Sequence, residues 1–592
     1  AGSAPRRNLT VDDALRIRLV GDPQISPDGR WVAYTVTTSD LAEDAAKTRI
    51  WMVPTAGGEP VAVTAETRSA SQPRFSPDGR FLSFLDEPDE GEAQVWTLFR
   101  EGGEAVQLTD TAQGVDDYEW SPDGRRMVLV LEDPTPQQLA VKRGEKKPKN
   151  PPPWVINRRQ FKLDYVGYLD SRRTHLYLLD LATRELTQIT AGDFDDSQPA
   201  WSPDGRRIAY LQGGEDKWVY YAPARLAVVD VASGKETLAT DLDRWFAKPR
   251  WSKDGRSLYV LVEDSRVTHL SKVTPDDGRV TPLTSGPRFD VDFAVSGDRL
   301  VVLGGGDDRP ADLAAVESRG LRALGAHNEW LAGKRLAPVE DVSFRSADGT
   351  EIHGFLVKPL DYVAGRRYPT ILRLHGGPVY QYSHEFMPDW QAYAARGFVV
   401  VAANPRGSSG RGFDFAKAIY ADWGNKDVQD VLAAVDHVVA IGVADPERLG
   451  VGGRSYGGIL TNYVIASDQR FKAAVSGAGA SNFIALYGHD MYTREYDIEL
   501  GFPWANRATW DRLSYPFLHA DRIVTPTLFY CTEKDFNVPC VGSEQMYQAL
   551  RTRDVPTQLV IYPGEHHALT VPSYLRDRLE RLIGWYDRWL KK

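Results

Sequence analysis

The sequence predicts a β-propeller over its first half and a parallel α/β domain over its second. Three observations carry that reading. A Ser-Pro-Asp-Gly-Arg type of turn recurs through the first three hundred residues, strands alternate with helical patterns from about Ala337 onward, and a glycine-flanked serine, GRSYGG, sits between a strand and a helix.

Length and composition set the frame for both halves. At roughly 150 residues per domain, 592 residues imply at least two domains, and 42% hydrophobic with 26% charged residues is a globular balance. Lys and Arg number 71 against 81 Asp and Glu, a net charge of −10, so the surface repels phosphate backbones and anionic lipid, and neither nucleic acid nor membrane is expected as a partner. No run of 18 apolar residues exists, so the chain is expected to be soluble. It opens AGSAPRRN, without Met or a hydrophobic signal core, which reads as a mature or trimmed start and leaves the compartment, cytoplasmic or periplasmic, open. The two cysteines, Cys531 and Cys540, give neither a disulfide framework nor zinc spacing, so no staple and no metal is expected.

The propeller rests on ISPDGR at Ile25, FSPDGR at Phe75, WSPDGR at Trp120 and Trp201, WSKDGR at Trp251 and the weaker VSGDR at Val295. Gly29, Gly79, Gly124, Gly205 and Gly255 follow one another at 50, 45, 81 and 50 residues, the period of one four-stranded blade. In each repeat the Asp-Gly pair is expected to supply the positive-φ residues of a hairpin, and an alternating strand such as RWVAYTV follows. The step of 81 holds a basic, proline-rich stretch, Val141 to Trp154, that reads as a surface loop. Six hits allow six blades; seven are favoured, with one blade lacking the signature. The propeller spans residues 21–335 on this reading and the α/β domain 336–592.

In the second half GRSYGG follows the strand RLGVG and precedes the helical run ILTNYVIASD, the context G-x-S-x-G requires in an α/β-hydrolase. The glycines permit a strained turn that lifts Ser455 to a helix N-terminus, where free N–H groups favour an oxyanion. Partners in this fold come in the order Ser, acid, His, so of eleven histidines only His566 and His567 lie late enough. Asp535, in TEKDFNVP just past the strand PTLFYCT, is the acid candidate; Asp521 and Asp554 lack a preceding strand. HGGP follows the strand TILRL, so the N–H groups of Gly377 and Tyr456 are the oxyanion-hole candidates, and His375 reads as structural.

GRSYGG, HGGP, NPRGSSGRGFDF, ADWGNKDVQDV, KDFNVP and YPGEHH, in that order, resemble the prolyl oligopeptidase family of serine peptidases, nearest in texture to acylaminoacyl peptidases and bacterial dipeptidyl aminopeptidase-like members. The resemblance covers essentially the whole chain. It implies a propeller that gates access to a hydrolase, residues 1–20 packed on the hydrolase domain, short peptides as substrates, a homo-oligomer, and no cofactor or metal. It marks Ser455 as nucleophile, Asp535 as acid, His567 as base and His566 as a variable position. Many relatives carry Arg where this chain has Asn537, which implies a neutral substrate contact. Relatives that capture a free N-terminus use paired glutamates where EDKWVYYAP shows Tyr220 and Tyr221, which weakens that specificity here.

Arg454 beside the nucleophile and Arg158 in NRRQFKLDYVGYLDSRR are candidate contacts for a peptide carboxylate, against the plainer reading of structural charges. Phe483 and Tyr487 in NFIALY are candidate walls of the acyl pocket, against core packing. The function expected is a serine oligopeptidase or exopeptidase of acylaminoacyl-peptidase type. Alternatives are an esterase of the same fold, carboxypeptidase-type or dipeptidyl-type specificity and, in another class, a propeller binding protein with an inert hydrolase domain.

Overall fold

The computed structural model describes the chain except residues 1–5, 67–68, 88–91, 122, 147–148, 151, 171, 189–199, 205, 213–214, 231–232, 234 and 592. Between Leu19 and Ala323 the described strands form six consecutive antiparallel units of four strands, the blades of a propeller. Neighbouring blades pack through apolar faces, and Ile25, Tyr34 and Val53 of the first blade meet Val301, Leu303 and Leu313 of the sixth. The ring therefore closes by packing, with no strand shared between first and last blades.

The recurring motif builds the first hairpin of the first five blades, though not by the pair of positive-φ residues expected. Gly29, Gly79, Gly124 and Gly255 alone take positive φ, at 65–71°, and the Asp works as a cap. Ser26 Oγ donates to Asp28 Oδ1 and accepts the Trp31 N–H, while Asp28 accepts the Arg30 N–H. The same set recurs at Ser76 with Asp78, Ser121 with Asp123, Ser202 with Asp204 and Ser252 with Asp254; Gly205 lies outside the described residues. This local satisfaction of turn N–H groups explains why serine and aspartate keep their spacing.

Six blades, not the favoured seven, are present among the described residues. The 81-residue step is one blade, because strand Arg126–Glu132 pairs directly with Thr174–Asp180 across an insertion. That insertion carries helix Pro136–Lys142, then the stretch expected as a loop, whose described residues from Arg143 to Trp154 form neither helix nor strand, and then a small hairpin, Lys162–Leu163 with Gly167–Tyr168.

The second half holds one eight-stranded sheet. Its strands are β1 (Val339–Arg345), β2 (Glu351–Val357), β3 (Tyr368–Leu374), β4 (Val399–Asn404), β5 (Ala444–Arg454), β6 (Ala473–Gly477), β7 (Thr527–Thr532) and β8 (Thr557–Tyr562), in the order β1-β2-β4-β3-β5-β6-β7-β8. All pairings from β4 to β8 are parallel. Successive residues serve opposite faces: Leu372 and Val401 lie in one apolar cluster, Ile371 and Val400 in the other. A parallel sheet covered on both sides needs that continuous apolar run. Helices α1 (Lys426–Ala440) and α2 (Tyr456–Ser467) cover the first face and α3 (Pro572–Leu590) the second.

The chain's two ends of the propeller are tied together. Arg7–Asn8 pairs in parallel with Lys334–Arg335, and the Asn328 amide both accepts from the Arg18 N–H and donates to the Arg18 carbonyl. Asp13, in the helix Val11–Leu15, is 1% exposed and holds Lys334 at 2.7 Å and Arg7 at 2.8 Å, while Asp12 pairs with Arg576 of α3. The N-terminal segment thus lies against the hydrolase half.

Candidate active site

Ser455 ends the run out of β5 at φ 61° and ψ −129°, a conformation costly for any side-chain-bearing residue. The glycines around it are there for room. A Cβ on Gly453 would lie 2.4 Å from the Leu374 carbonyl oxygen, and one on Gly457 2.3 Å from the same atom, so only glycine lets the turn nest on β3. Thus held, Ser455 Oγ lies 3.0 Å from His567 Nε2, and His567 Nδ1 lies 2.7 Å from Asp535 Oδ2. Asp535 is 2% exposed, and its Oδ1 accepts the N–H groups of Asn537 and Val538, both at 2.8 Å. Those two donors orient the carboxylate so that its other oxygen faces the imidazole. A hydroxyl, imidazole and oriented carboxylate in series can move a proton off the hydroxyl as it attacks a carbonyl.

The loop carrying Asp535 departs from expectation, since Cys531 and Cys540 form a disulfide. Cys531 lies near the end of β7 and Cys540 just before helix Val541–Thr552, and the loop folds back until their Cα atoms are 5.3 Å apart. Spacing along the chain could not reveal this closure, which depends on the turn between them.

A cavity of about 400 Å³ opens beside Ser455. Gly377 and Tyr456 line it, and the first-turn position of Tyr456 leaves its N–H without an intrahelical partner. Tyr456 is fixed from behind by its hydroxyl, which donates to buried Asp427 at 2.5 Å; burial pushes the Asp427 carboxyl up to about 6. Val379, Ile459, Phe483, Leu486, Tyr496 and Val538 give the cavity an apolar wall. Asn537 lines it too, its side-chain oxygen accepting from Tyr492 at 2.7 Å. His375 is buried with its ring on Ser408 Oγ at 2.9 Å, and burial lowers its pKa to about 4, so it is neutral and structural.

Three of the candidates stand off the cavity. Tyr487 donates to Asp497 and packs edge-on against Trp504 and Trp510. Arg158 donates to the carbonyls of Asp170 and Arg172 within its own insertion. Arg454 is not among the lining residues.

Several lining groups escaped sequence reasoning. Tyr220 and Trp245 reach the cavity from the propeller, and Asp490, Tyr492 and Glu495 from the segment after β6. Burial raises Asp490 to about 7, although Tyr496 and the Tyr492 N–H bond to it. The doublet Tyr220-Tyr221 was visible as an anomaly; nothing marked the acids. Asp164, in the propeller insertion, accepts N–H groups from both loops that carry Asp535 and His567.

A strained serine at a strand-to-helix turn, joined through imidazole to a buried carboxylate on this mostly parallel sheet, defines a serine hydrolase of the α/β class. Residues 384–592 match the prolyl oligopeptidase family, and the chain carries a serine peptidase domain of that family. Over 99% of its length it is 29% identical to the uncharacterized peptidase YuxL of Bacillus subtilis, covering 100% of that protein. It is 25% identical to dipeptidyl-peptidase 5 of Porphyromonas endodontalis over 99% of this chain and 95% of that one. Among solved structures, Pyrococcus horikoshii acylaminoacyl peptidase superposes with a TM-score of 0.82 at 22% identity, over 99% of this chain and 98% of that one. A Mycobacterium tuberculosis puromycin-hydrolyzing peptidase gives 0.77 at 20%, over 100% and 98%. At such identities these two establish the shared propeller-plus-hydrolase fold.

Proposed function

We propose that the chain hydrolyses short peptides through an acyl-enzyme on Ser455, with His567 as general base and Asp535 orienting it. The observation that carries this reading is the unbroken series from Ser455 through His567 to Asp535, at 3.0 and 2.7 Å, on the edge of the cavity. Ser455 Oγ gives its proton to His567 Nε2 as it bonds to the scissile carbonyl carbon. The oxyanion is met by the N–H groups of Gly377 and Tyr456. His567 then returns the proton to the leaving amine as the C–N bond breaks, and water repeats the sequence on the ester.

The apolar wall supports a large apolar or aromatic residue on the acyl side of the cut, since about 400 Å³ exceeds what a small side chain fills. Tyr220 and Trp245 support a role for the propeller in limiting what reaches the serine. A second reading, release of dipeptides, is favoured by Glu495, which lines the same cavity, where an anionic group would attract a free N-terminal amine. Carboxypeptidase-type specificity loses support with Arg158 and Arg454 off the cavity.

Mass-spectrometric mapping of cleavage in a library of short peptides with free, acetylated and amidated termini tests this, with Ser455→Ala as control. Ser455-dependent cuts after bulky apolar residues are expected. Their absence, with only ester turnover, would defeat the peptidase reading.

A further inference from the structure

The histidine and aspartate loops of the site are held together by a side chain from the other domain. Asp164, 6% exposed, sits in the hairpin that the third blade inserts. Its Oδ2 accepts the backbone N–H of His567 at 3.0 Å, and its Oδ1 accepts the N–H of Phe536, next to Asp535, also at 3.0 Å. One carboxylate thus spans the two loops whose side chains must meet at 2.7 Å. The hairpin is seated by further bonds. The Tyr165 N–H meets His566 Nδ1 at 3.2 Å, and its hydroxyl accepts the Ala568 N–H at 2.8 Å while the ring stacks on His566. Lys162 donates to the His489 carbonyl at 2.8 Å, and Arg159 pairs with Asp497.

We infer that Asp164 is a positioning residue for the catalytic base, supplied by the propeller, which fixes the His567 and Asp535 loops in register. Neither loop has a second acceptor for these two N–H groups among the bonds described, and an amide pointed at a buried carboxylate is worth more than one pointed at water. The main chain of His567 is therefore anchored at one atom while its ring is anchored at another, which leaves the imidazole little freedom to swing away from Ser455. Asparagine at this position can accept one of the two N–H groups but opposes the other with its own NH2.

The inference rests on Ser455, Asp535 and His567 being the working triad, and the experiment separates the two. Asp164→Ala is expected to lower kcat by about 10- to 100-fold with KM within about threefold, because the loss falls on the base and not on the cavity. Asp164→Asn, the safer variant for folding, should lie between it and the parent. Arg159→Ala, which weakens hairpin docking at an exposed ion pair away from the triad loops, should stay within about threefold. In a His567→Ala background, Asp164→Ala should have no further effect on residual turnover, since the group it acts through is gone. An unchanged kcat in both Asp164 variants, or the same fractional loss with and without His567, would overturn the inference. Turnover of His567→Ala itself within about tenfold of the parent would instead overturn the triad.

Discussion

Replacing Asp535 by asparagine tests the site more sharply than removing it. The carboxylate does two jobs through two oxygens: Oδ1 accepts the N–H groups of Asn537 and Val538, and Oδ2 faces His567 Nδ1. An asparagine amide is forced into one orientation here. If its NH2 faced the two backbone donors, three N–H groups would oppose one another, so the oxygen stays with the backbone and the NH2 turns to the imidazole. His567 Nδ1 must then accept, its proton moves to Nε2, and the ring presents a donor to Ser455 Oγ where an acceptor is needed. The geometry survives while the base is lost. A wrong-tautomer histidine of this kind costs about 10⁴ in kcat, equivalent to ~5 kcal/mol of barrier, and KM should move less than about threefold because no cavity residue changes. Steady-state turnover of a chromogenic peptide, normalised to correctly folded enzyme by circular dichroism and thermal melting, reads it directly. A loss below about tenfold would show that the Asp535 contact does not set the tautomer, and the reasoning would fail.

His567→Ala should abolish turnover to within about 10³–10⁴ of the uncatalysed rate, whereas His566→Ala, which loses the stacking and bonding to Tyr165 and the 3.3 Å contact of its Nδ1 with Asp164 Oδ1, should cost less than about tenfold; equal losses in parallel kinetics would defeat the assignment. Lys334→Met should lower the melting temperature by a few degrees, since it strips a partner from a carboxylate that is 1% exposed, a class of change worth ~3 kcal/mol. Burial works to raise the Asp13 pKa, but hydrogen bonds from Lys334, Arg7 and Thr10 outweigh it and hold the carboxyl well below its ordinary 3.8. A depressed carboxyl contributes stability above its unfolded pKa and loses it as pH falls through the folded one, so the variant's acid unfolding should begin at higher pH, read from melting curves between pH 3 and 7. Cys540→Ser should destabilise by ~2.5 kcal/mol through the freed ten-residue loop and lower kcat several-fold, since that loop carries Asp535; identical turnover with and without reductant in the parent enzyme would count against the coupling.

What the sequence revealed follows the range of the interactions involved. The blade turns were legible because Ser, Asp and Gly satisfy one another within five residues, and the nucleophile because its glycines answer to steric room inside one turn. Asp535 and His567 were legible because sheet order forces loops after β7 and β8 to the same edge as Ser455. The blade count slipped because an insertion between two paired strands looks, along the chain, like a missing repeat. The disulfide slipped because nine residues of separation say nothing of a loop that folds back to 5.3 Å. Asp164 was one charge among several in a basic segment, and its worth comes from two N–H groups more than 370 residues away. Arg158 and Arg454 drew notice as charges, yet charge alone does not tell whether a side chain reaches a cavity.

The pairing of Arg7–Asn8 with Lys334–Arg335, secured by Asn328 on Arg18, makes the propeller a detachable cassette in topological terms. The chain leaves and rejoins the hydrolase through adjacent segments, so a linker of a few residues joining Arg18 to Asn328 would restore continuity to the α/β half without stretching it. Such a shortened protein would retain the residues of the eight-stranded sheet, the serine turn and the disulfide loop, but its apolar core would lose Tyr221, which the propeller buries there. It would lose Tyr220, Trp245 and Asp164 together, and with them both the roof of the cavity and the clasp on the histidine loop. The larger domain is thus topologically separable from the sheet while supplying side chains to both its core and its active site.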